Sequence, residues 1–146
     1  MRQEKVRVKI VKPLKAMVID DDPGVMNYLR YILELRGYEV LAYEDPAKSP
    51  LHKRGRCPCP MHDSGCPDLI ITDLIMPGMN GVELLESAMK RGCRCRHLAL
   101  ISGTMITEKD SQRMAKYGTH FFTKPLNLHD FYDWLEKVEK EIAEQT

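Results

Sequence analysis

Acidic residues stand at the ends of two apolar runs of the chain. Asp20 and Asp21 come directly after Met17–Ile19, and Asp73 comes directly after Leu69–Thr72. Two carboxylates about 4 Å apart repel each other by about 4 kcal/mol at an effective dielectric constant near 20, so they require a shared proton or a cation. Carboxylate oxygens on one side of a cleft, with water on the other, suit Mg²⁺. If the fold gathers these three carboxylates, we predict that they form a Mg²⁺ site.

A hydroxyl group and an ammonium group occupy comparable points later in the chain. Ser102 ends the apolar run Leu98–Ile101, and Lys124 ends the run that starts at Thr119 and precedes Pro125. A hydroxyl donor, an ammonium ion and Mg²⁺ around a carboxylate favour the binding of phosphoryl oxygens. The sequence therefore predicts a phosphoryl-binding pocket in which Ser102 and Lys124 face Asp73.

A group of cysteines offers a second kind of chemistry. The chain has five cysteines, an odd number, and a reducing compartment disfavours structural disulfides. The candidate ligands for Zn²⁺, or partners in a redox disulfide, are Cys57, Cys59, His62, Cys66, Cys93 and Cys95, with His97 in reserve. Reduced thiols without a ligand, a structural or sensory Zn²⁺ site and a redox disulfide all remain open.

The order of the elements indicates how these groups are positioned. Short aliphatic runs alternate with stretches of helical period, a pattern that is typical of a parallel sheet covered by helices. The predicted strands are Met17–Asp20, Glu39–Tyr43, Leu69–Asp73, His97–Ser102 and Thr119–Lys124. We predict an α/β fold with one doubly wound five-stranded sheet in the order 2-1-3-4-5, flavodoxin-like in class. In that order the first and third strands are neighbours, and their acidic residues meet at the carboxyl edge of the sheet.

Capping residues mark where the helices begin and end. Asp22 caps the first helix ahead of Pro23, and further helices begin after Asn80, Thr107 and Asn127. The helix after Thr107 has few apolar positions, so we expect its apolar face to be thin and the helix to be mobile or partner-facing. Between residues 45 and 67 the density of proline and glycine leaves room for at most one helical turn, so a Cys- and Pro-rich loop replaces the second helix.

Composition and charge exclude several classes of function. The 146 residues are 43% hydrophobic and 29% charged, which predicts one globular domain, with residues 1–14 as an arm and 15–146 as the domain. A formal charge of +1 provides no global field for nucleic acid or anionic lipid. No run approaches the roughly 20 apolar residues of a membrane span, and the basic arm lacks the pattern of a secretion signal. We therefore expect a cytoplasmic protein with no direct nucleic-acid or membrane partner.

Four motifs in this order resemble those of one family. They are Val18–Asp22, Ile71–Gly81, Ile101–Gly103 and Thr123–Pro125. Together they resemble the receiver domain of two-component response regulators, the CheY-like family, and the resemblance extends from about Lys15 to Glu144. A flavin-binding module of the same fold class is disfavoured because the triple Asp would repel a phosphate dianion in the first loop.

The resemblance implies roles for the acidic pocket. Asp73 would be the phosphoacceptor, receiving the group from a histidine kinase or a phosphotransfer protein. Asp21 would bind Mg²⁺ directly, Asp20 would act from the outer shell, and the backbone carbonyl of Ile75 would supply a further ligand. Because the side chain of Ile75 is apolar and offers no help in placing water, we predict slow loss of the phosphoryl group.

The resemblance also implies how the signal leaves the pocket. Ser102 would be the switch hydroxyl, Phe121 the aromatic that turns inward on activation, and Lys124 the cation that pairs with the phosphoryl group. The fourth helix, fifth strand and fifth helix would form the output face and a possible homodimer contact.

Because the fifth helix nearly reaches the C-terminus, we expect a stand-alone receiver that signals to an unknown downstream protein. It is expected to be a switch rather than an enzyme, promoting only its own phosphotransfer and dephosphorylation. The alternative is an interaction module that senses metal or oxidant through the Cys-rich loop.

Overall fold

The computed structural model describes residues 13–52, 57 and 65–145, and its centre is a parallel five-stranded sheet. The strands are β1 (Lys15–Ile19), β2 (Glu39–Tyr43), β3 (Leu69–Asp73), β4 (His97–Ser102) and β5 (His120–Thr123). Their spatial order is β2-β1-β3-β4-β5, and every neighbouring pair is parallel. The predicted fold class and strand order are confirmed.

Helices connect most of the strands. They are α1 (Pro23–Leu35), α2 (Gly81–Lys90), α3 (Glu108–Ala115) and α4 (Leu128–Glu144). Two strands of two residues each, Ile75–Met76 and Met79–Asn80, pair antiparallel just before α2. Three of the predicted helix starts are the observed capping residues, since the side chains of Asn80, Thr107 and Asn127 each accept a backbone N–H of the following turn.

The first and last strands differ slightly from their predicted bounds. β1 covers Lys15–Ile19 rather than Met17–Asp20, and β5 covers His120–Thr123 rather than Thr119–Lys124. Asp20 still donates its N–H to the carbonyl of Tyr43 on the neighbouring strand. Its carboxylate, however, accepts the N–H of Asp22, which turns the chain out of the sheet. The strand therefore ends one residue earlier than the apolar pattern suggested.

Asp22 fixes the start of α1, as predicted. Its Oδ1 accepts the N–H of Gly24 at 2.9 Å and that of Val25 at 3.4 Å, and Pro23 occupies the first helical turn. Gly37 follows the helix with a φ of 93°, a left-handed conformation that a residue with a Cβ rarely adopts. The cap at Asp22 therefore ends the short turn that contains Asp20 and Asp21.

The core has two parts, one on each face of the sheet. Residues of β1 alternate between them: Val18 packs with α1 and α4, whereas Met17 packs with α2 and the turns that follow β2. As predicted, the apolar face of α3 is thin, since Met114 is the one buried residue of this helix. On α4, Trp134 is buried, whereas Leu128, in the first turn of the helix, is 37% exposed.

The connection from β2 to β3 contains no α-helix among its described residues. It begins with two 3₁₀ turns, Pro46–Lys48 and Pro50–His52, where one turn at most was predicted. Each turn has proline at its first position, which suits a short helical start and prevents a longer ladder. Leu51 is 1% exposed in the core on the α2 side. The predicted arm covers residues 1–14, and of these, residues 1–12 lie outside the described residues.

Candidate functional site

Adjacent strands bring the acidic residues together at the carboxyl edge of the sheet. Ile19 of β1 is in register with Thr72 of β3, so the residues that follow them are neighbours. One carboxylate oxygen from each of Asp20, Asp21 and Asp73 lies within 4.8 Å of the others. Asp20 and Asp73 are buried, and Asp21 is exposed at the mouth of the pocket. The pattern of strand ends thus produces the acidic cluster that the sequence suggested.

Lys124 supplies a positive charge to this cluster. Its Nζ lies 3.2 Å from Oδ2 of Asp73, to which it donates a hydrogen bond, and 3.3 Å from Oδ2 of Asp20. Lys124 follows β5, and its backbone N–H donates to the carbonyl of Ser102 at the end of β4. The peptide bond to Pro125 is cis, as the family resemblance implied. Lys124, at the end of β5, therefore reaches past β4, so that its ammonium group lies beside the end of β3.

The single lysine does not fully compensate the carboxylates. The pKa of Asp73 is raised to about 6, first by burial and then by the charge of Asp20, against the opposing effect of Lys124. Burial also raises the pKa of Asp20. Burial alone would lower the pKa of Lys124, but the charges of Asp20 and Asp73 outweigh it and raise that pKa. The pocket holds more negative than positive charge, which favours the entry of a cation.

The residues of the pocket suit a hard divalent cation. Oδ2 of Asp20 is buried and makes no hydrogen bond within the described part of the chain, although Lys124 is close. Such an oxygen retains capacity for a cation or for its bound water, and hard cations prefer oxygen ligands. Ile75, whose carbonyl was predicted as a ligand, lies two residues beyond Asp73 in the two-residue strand, with its side chain 59% exposed. The donor set fits Mg²⁺.

Ser102 lies at the predicted strand end, but its hydroxyl is engaged in its own loop. Its Oγ donates to the carbonyl of Thr104 at 2.7 Å and accepts the N–H of the same residue at 3.0 Å. Thr104 was not singled out from the sequence, because a local turn of this kind depends on side-chain geometry rather than on periodicity. In this structure Lys124, and not Ser102, is held against Asp73.

The two phenylalanines of β5 face opposite sides. Phe122 is 6% exposed and belongs to the core, whereas Phe121 is 37% exposed. Phe121 borders a cavity of about 220 Å³ that Leu100, Ser102 and Ile106 also line. The cavity lies between the exposed aromatic ring and the strand that carries Ser102.

Gly81 is a site residue to which the sequence reasoning gave no role. It starts α2, and its N–H donates to the carbonyl of Leu74 at 2.7 Å. A Cβ at this position would collide with the backbone carbonyl oxygen of Asp73 and press on Leu100. The available signal was a glycine at the start of a helix where alanine is the better helix former. Close packing of α2 on the backbone of Asp73 therefore requires glycine here.

The cysteine ligands are only partly gathered, at the opposite edge of the sheet. Sγ atoms of Cys57, Cys66 and Cys93 lie within 4.8 Å of one another. Cys95 is outside this set, which corrects its prediction as a ligand: its thiol donates to the carbonyl of His97, and burial raises its pKa. Cys93 and Cys95 are both buried in the core on the α2 side, but it is Cys93 whose sulfur approaches those of Cys57 and Cys66. Cys59 and His62 lie outside the described residues.

Comparisons with known proteins find a matching family model and a matching fold. The response regulator receiver domain model matches residues 16–136. Chemotaxis protein CheY of Pseudomonas aeruginosa is 27% identical over 127 residues, covering 86% of this chain and 95% of CheY. A CheY-like receiver domain from Methanospirillum hungatei, known from its crystal structure, has the same fold, with a TM-score of 0.71 and 23% identity over 91% of this chain and 99% of the other.

Longer regulators are also similar to this chain. Transcriptional regulatory protein KdpE of Mycobacterium tuberculosis is 28% identical over 115 residues, and the match covers 79% of this chain and 46% of KdpE. The chain therefore spans about half the length of that relative. Among the helices that the structure describes, none has both the length and the hydropathy that crossing a bilayer requires.

Proposed function

The chain belongs to the response regulator receiver domain family, and from that premise we propose that Asp73 is the residue that accepts the phosphoryl group. The observation that carries this proposal is the convergence of charge at the carboxyl edge of the sheet. Lys124 Nζ lies 3.2 Å from Asp73 and 3.3 Å from Asp20, within a cluster whose three carboxylates approach within 4.8 Å. Asp73 ends the central strand β3, where an incoming donor group meets all of these side chains.

The proposed reaction is an in-line phosphoryl transfer. A carboxylate oxygen of Asp73 attacks phosphorus, forming the O–P bond of an acyl phosphate. The P–N bond of a phosphohistidine breaks, and its electron pair returns to the imidazole nitrogen, which takes up a proton. The donor is a histidine kinase or a phosphotransfer protein. The chain thus promotes only its own phosphotransfer and dephosphorylation, and we propose no separate substrate.

Each neighbour of Asp73 has a distinct part in this reaction. Asp20, Asp21 and Asp73 would hold Mg²⁺ together with the carbonyl of Ile75. When bound, Mg²⁺ supplies positive charge for the phosphoryl oxygens during transfer. Lys124 remains charged because the two buried carboxylates raise its pKa, so its ammonium group is ready to pair with the phosphoryl group.

We propose that phosphorylation changes the surface formed by α3, β5 and α4. Ser102 would leave Thr104 and donate to a phosphoryl oxygen. Phe121 would then move toward the cavity of about 220 Å³ that it already borders, removing exposed aromatic surface. A downstream protein, or a second copy of the chain, would recognise the changed face. The thin apolar face of α3, with only Met114 buried, supports such a rearrangement.

Beryllofluoride with Mg²⁺ tests the proposal, because it mimics an aspartyl phosphate. Backbone amide spectra of the wild type should shift at Ser102, Phe121 and Lys124 when both are added. Asp73→Asn should show no such shifts, because the acceptor oxygen is replaced by an amide nitrogen. Asp22→Asn is the matched control: asparagine keeps the helix cap, so its response should equal that of the wild type.

Two results would contradict the proposal. One is an unchanged wild-type spectrum at saturating Mg²⁺ and beryllofluoride, and the other is an equal response in Asp73→Asn. Shifts that arise only with Zn²⁺ or an oxidant would instead favour an interaction module that senses metal or redox state. The approach of Cys57, Cys66 and Cys93 is the observation that keeps this second candidate function open.

A further inference from the structure

Three segments of the chain each bring one thiol to the amino edge of the sheet. Cys57 comes from the connection between β2 and β3, Cys66 lies just before β3, and Cys93 lies between α2 and β4. Their Sγ atoms approach within 4.8 Å of one another. We propose that Cys57, Cys66 and Cys93 form a structural Zn²⁺ site. This proposal goes beyond the phosphoryl chemistry and is independent of it.

The sulfur separations suit a tetrahedral metal better than a disulfide. Sγ of Cys57 lies 3.8 Å from Sγ of Cys66. A tetrahedron with Zn–S bonds of about 2.3 Å has S···S edges of about 3.8 Å. A disulfide requires about 2.05 Å between its sulfurs, so the chain would have to move to form one. The three thiols occupy one face of a coordination tetrahedron and leave its fourth position to another ligand.

Backbone contacts hold two of the thiols in place. The N–H of Cys57 donates to the carbonyl of Arg91 at 2.9 Å, which fixes Cys57 beside the end of α2. The N–H of Arg94 donates to Sγ of Cys66 at 3.3 Å. Such a donor orients the sulfur, as outer-shell groups orient the ligands in known metal sites. The cluster therefore has both ligands and an outer shell.

The charge around the cluster favours thiolate ligands. Three thiolates and Zn²⁺ together carry one negative charge. The guanidinium group of Arg94 lies near Gly65, next to Cys66 in the chain, and that of Arg91 donates to the carbonyl of Leu51. Arg94 therefore places positive charge near the segment that carries Cys66. Cys57 and Cys66 are half-buried and Cys93 is 8% exposed, so the site is sheltered but open to an entering ion.

The chemistry of the ligands selects the metal. Thiolates are soft ligands that prefer Zn²⁺ over Mg²⁺, and binding of Zn²⁺ releases the thiol protons to solvent. The five-residue strand β3 separates this edge from Asp73 by about 16 Å at 3.3 Å per residue. The ion would tie the Pro-rich connection to the loop between α2 and β4. It thereby stabilises a part of the fold in which the described residues form no α-helix.

Metal analysis tests the proposal on the whole chain. Protein purified under reducing conditions and loaded with Zn²⁺ should retain about one equivalent after gel filtration. Loss of an outer-shell partner weakens metal binding about 10- to 100-fold. We expect a larger loss of Zn²⁺ affinity in each of the variants Cys57→Ser, Cys66→Ser and Cys93→Ser. Cys95→Ala is the matched control, because Cys95 is a buried cysteine outside the cluster, and it should bind like the wild type.

X-ray absorption of the zinc-loaded wild type supplies a readout that does not depend on the folding of any variant. At least three sulfur ligands at about 2.3 Å are expected. Fewer than three sulfurs, or retention of less than about a tenth of an equivalent of Zn²⁺, would overturn the proposal. Loss of binding in Cys95→Ala but not in Cys66→Ser would also overturn it. So would a Cys57–Cys66 disulfide that forms in air and keeps both thiols from alkylation while Zn²⁺ is present.

Discussion

The two edges of the sheet carry opposite kinds of ligand. At the carboxyl edge, Asp20, Asp21 and Asp73 gather around the ammonium group of Lys124. At the amino edge, Cys57 joins two further thiols beside arginine-rich connections. Hard oxygen ligands suit Mg²⁺, whereas soft sulfur ligands suit Zn²⁺. We propose that the sheet carries a phosphorylation site at one edge and a structural Zn²⁺ site at the other, with the length of β3 between them.

The largest expected effect comes from the tight packing of α2 against the backbone of Asp73. Gly81→Ala places a methyl group against the carbonyl oxygen of Asp73, so we expect a loss of about 3 kcal/mol in the free energy of unfolding and weaker binding of beryllofluoride. Chemical denaturation measures the first effect. Gly103→Ala is the control, because its added Cβ would lie 4.0 Å from Lys124 Cβ, an ordinary contact. Equal stability of Gly81→Ala and wild type would contradict the described packing.

The charge balance of the carboxyl edge predicts the next effect. Lys124→Met leaves Asp20 and Asp73 without their cation, so in the presence of a chelator we expect a loss of about 2 kcal/mol in the free energy of unfolding. Lys90→Met removes a lysine whose side chain is 65% exposed, and it should cost less than about 0.5 kcal/mol. Thermal unfolding compares the two. Equal losses would mean that Lys124 does not neutralise the pocket.

The lifetime of the phosphorylated state tests the role of Ile75. Its apolar side chain, 59% exposed beside the pocket, does not orient water, so we expect the acyl phosphate to persist for much longer than seconds. Ile75→Asn should accelerate the loss of phosphate by about tenfold, because the amide can position the attacking water. Ile75→Val should lose phosphate as slowly as the wild type. A wild-type half-life of seconds with bound Mg²⁺ would contradict this expectation.

The smallest expected effect is the stabilisation of the fold by Mg²⁺, which should depend on the carboxyl edge and not on the amino edge. Free Mg²⁺ at five times its dissociation constant should stabilise the wild type by about 1 kcal/mol. Asp21→Asn should lose most of this increment, whereas Cys66→Ser should keep it. Thermal unfolding with and without Mg²⁺ measures both variants. If Cys66→Ser also lost the Mg²⁺ increment, the two edges would not be independent sites.

The carboxyl edge was more predictable from the sequence than the amino edge, for a physical reason. Asp20 and Asp73 follow regular strands, so parallel register and strand order bring them together. The approach of Cys57 to Cys66 depends on a Pro-rich connection without periodicity, and no pattern states where such a chain folds back. Cys95 shows the same limit, because a thiol near the right strand still points into the core.

Two features of the acidic pocket also escaped prediction. The hydroxyl of Ser102 binds Thr104 in its own loop, a local choice between nearby partners of similar energy. Gly81 is required by the closeness of α2 to the backbone of Asp73, which only the packed structure reveals. Strand ends could be derived from periodicity, whereas contacts made by turns and by close backbone packing could not.

Intact-mass analysis after incubation with Mg²⁺ and a small phosphodonor such as phosphoramidate shows whether Asp73 accepts a phosphoryl group. We expect the wild type to gain one phosphoryl group, about 80 Da, and fragmentation to place it on Asp73. Asp73→Asn should gain none under the same conditions. An adduct of the same yield on Asp73→Asn, or no adduct on the folded wild type with this donor or with phosphorylated histidine kinases, would contradict the proposed role of Asp73.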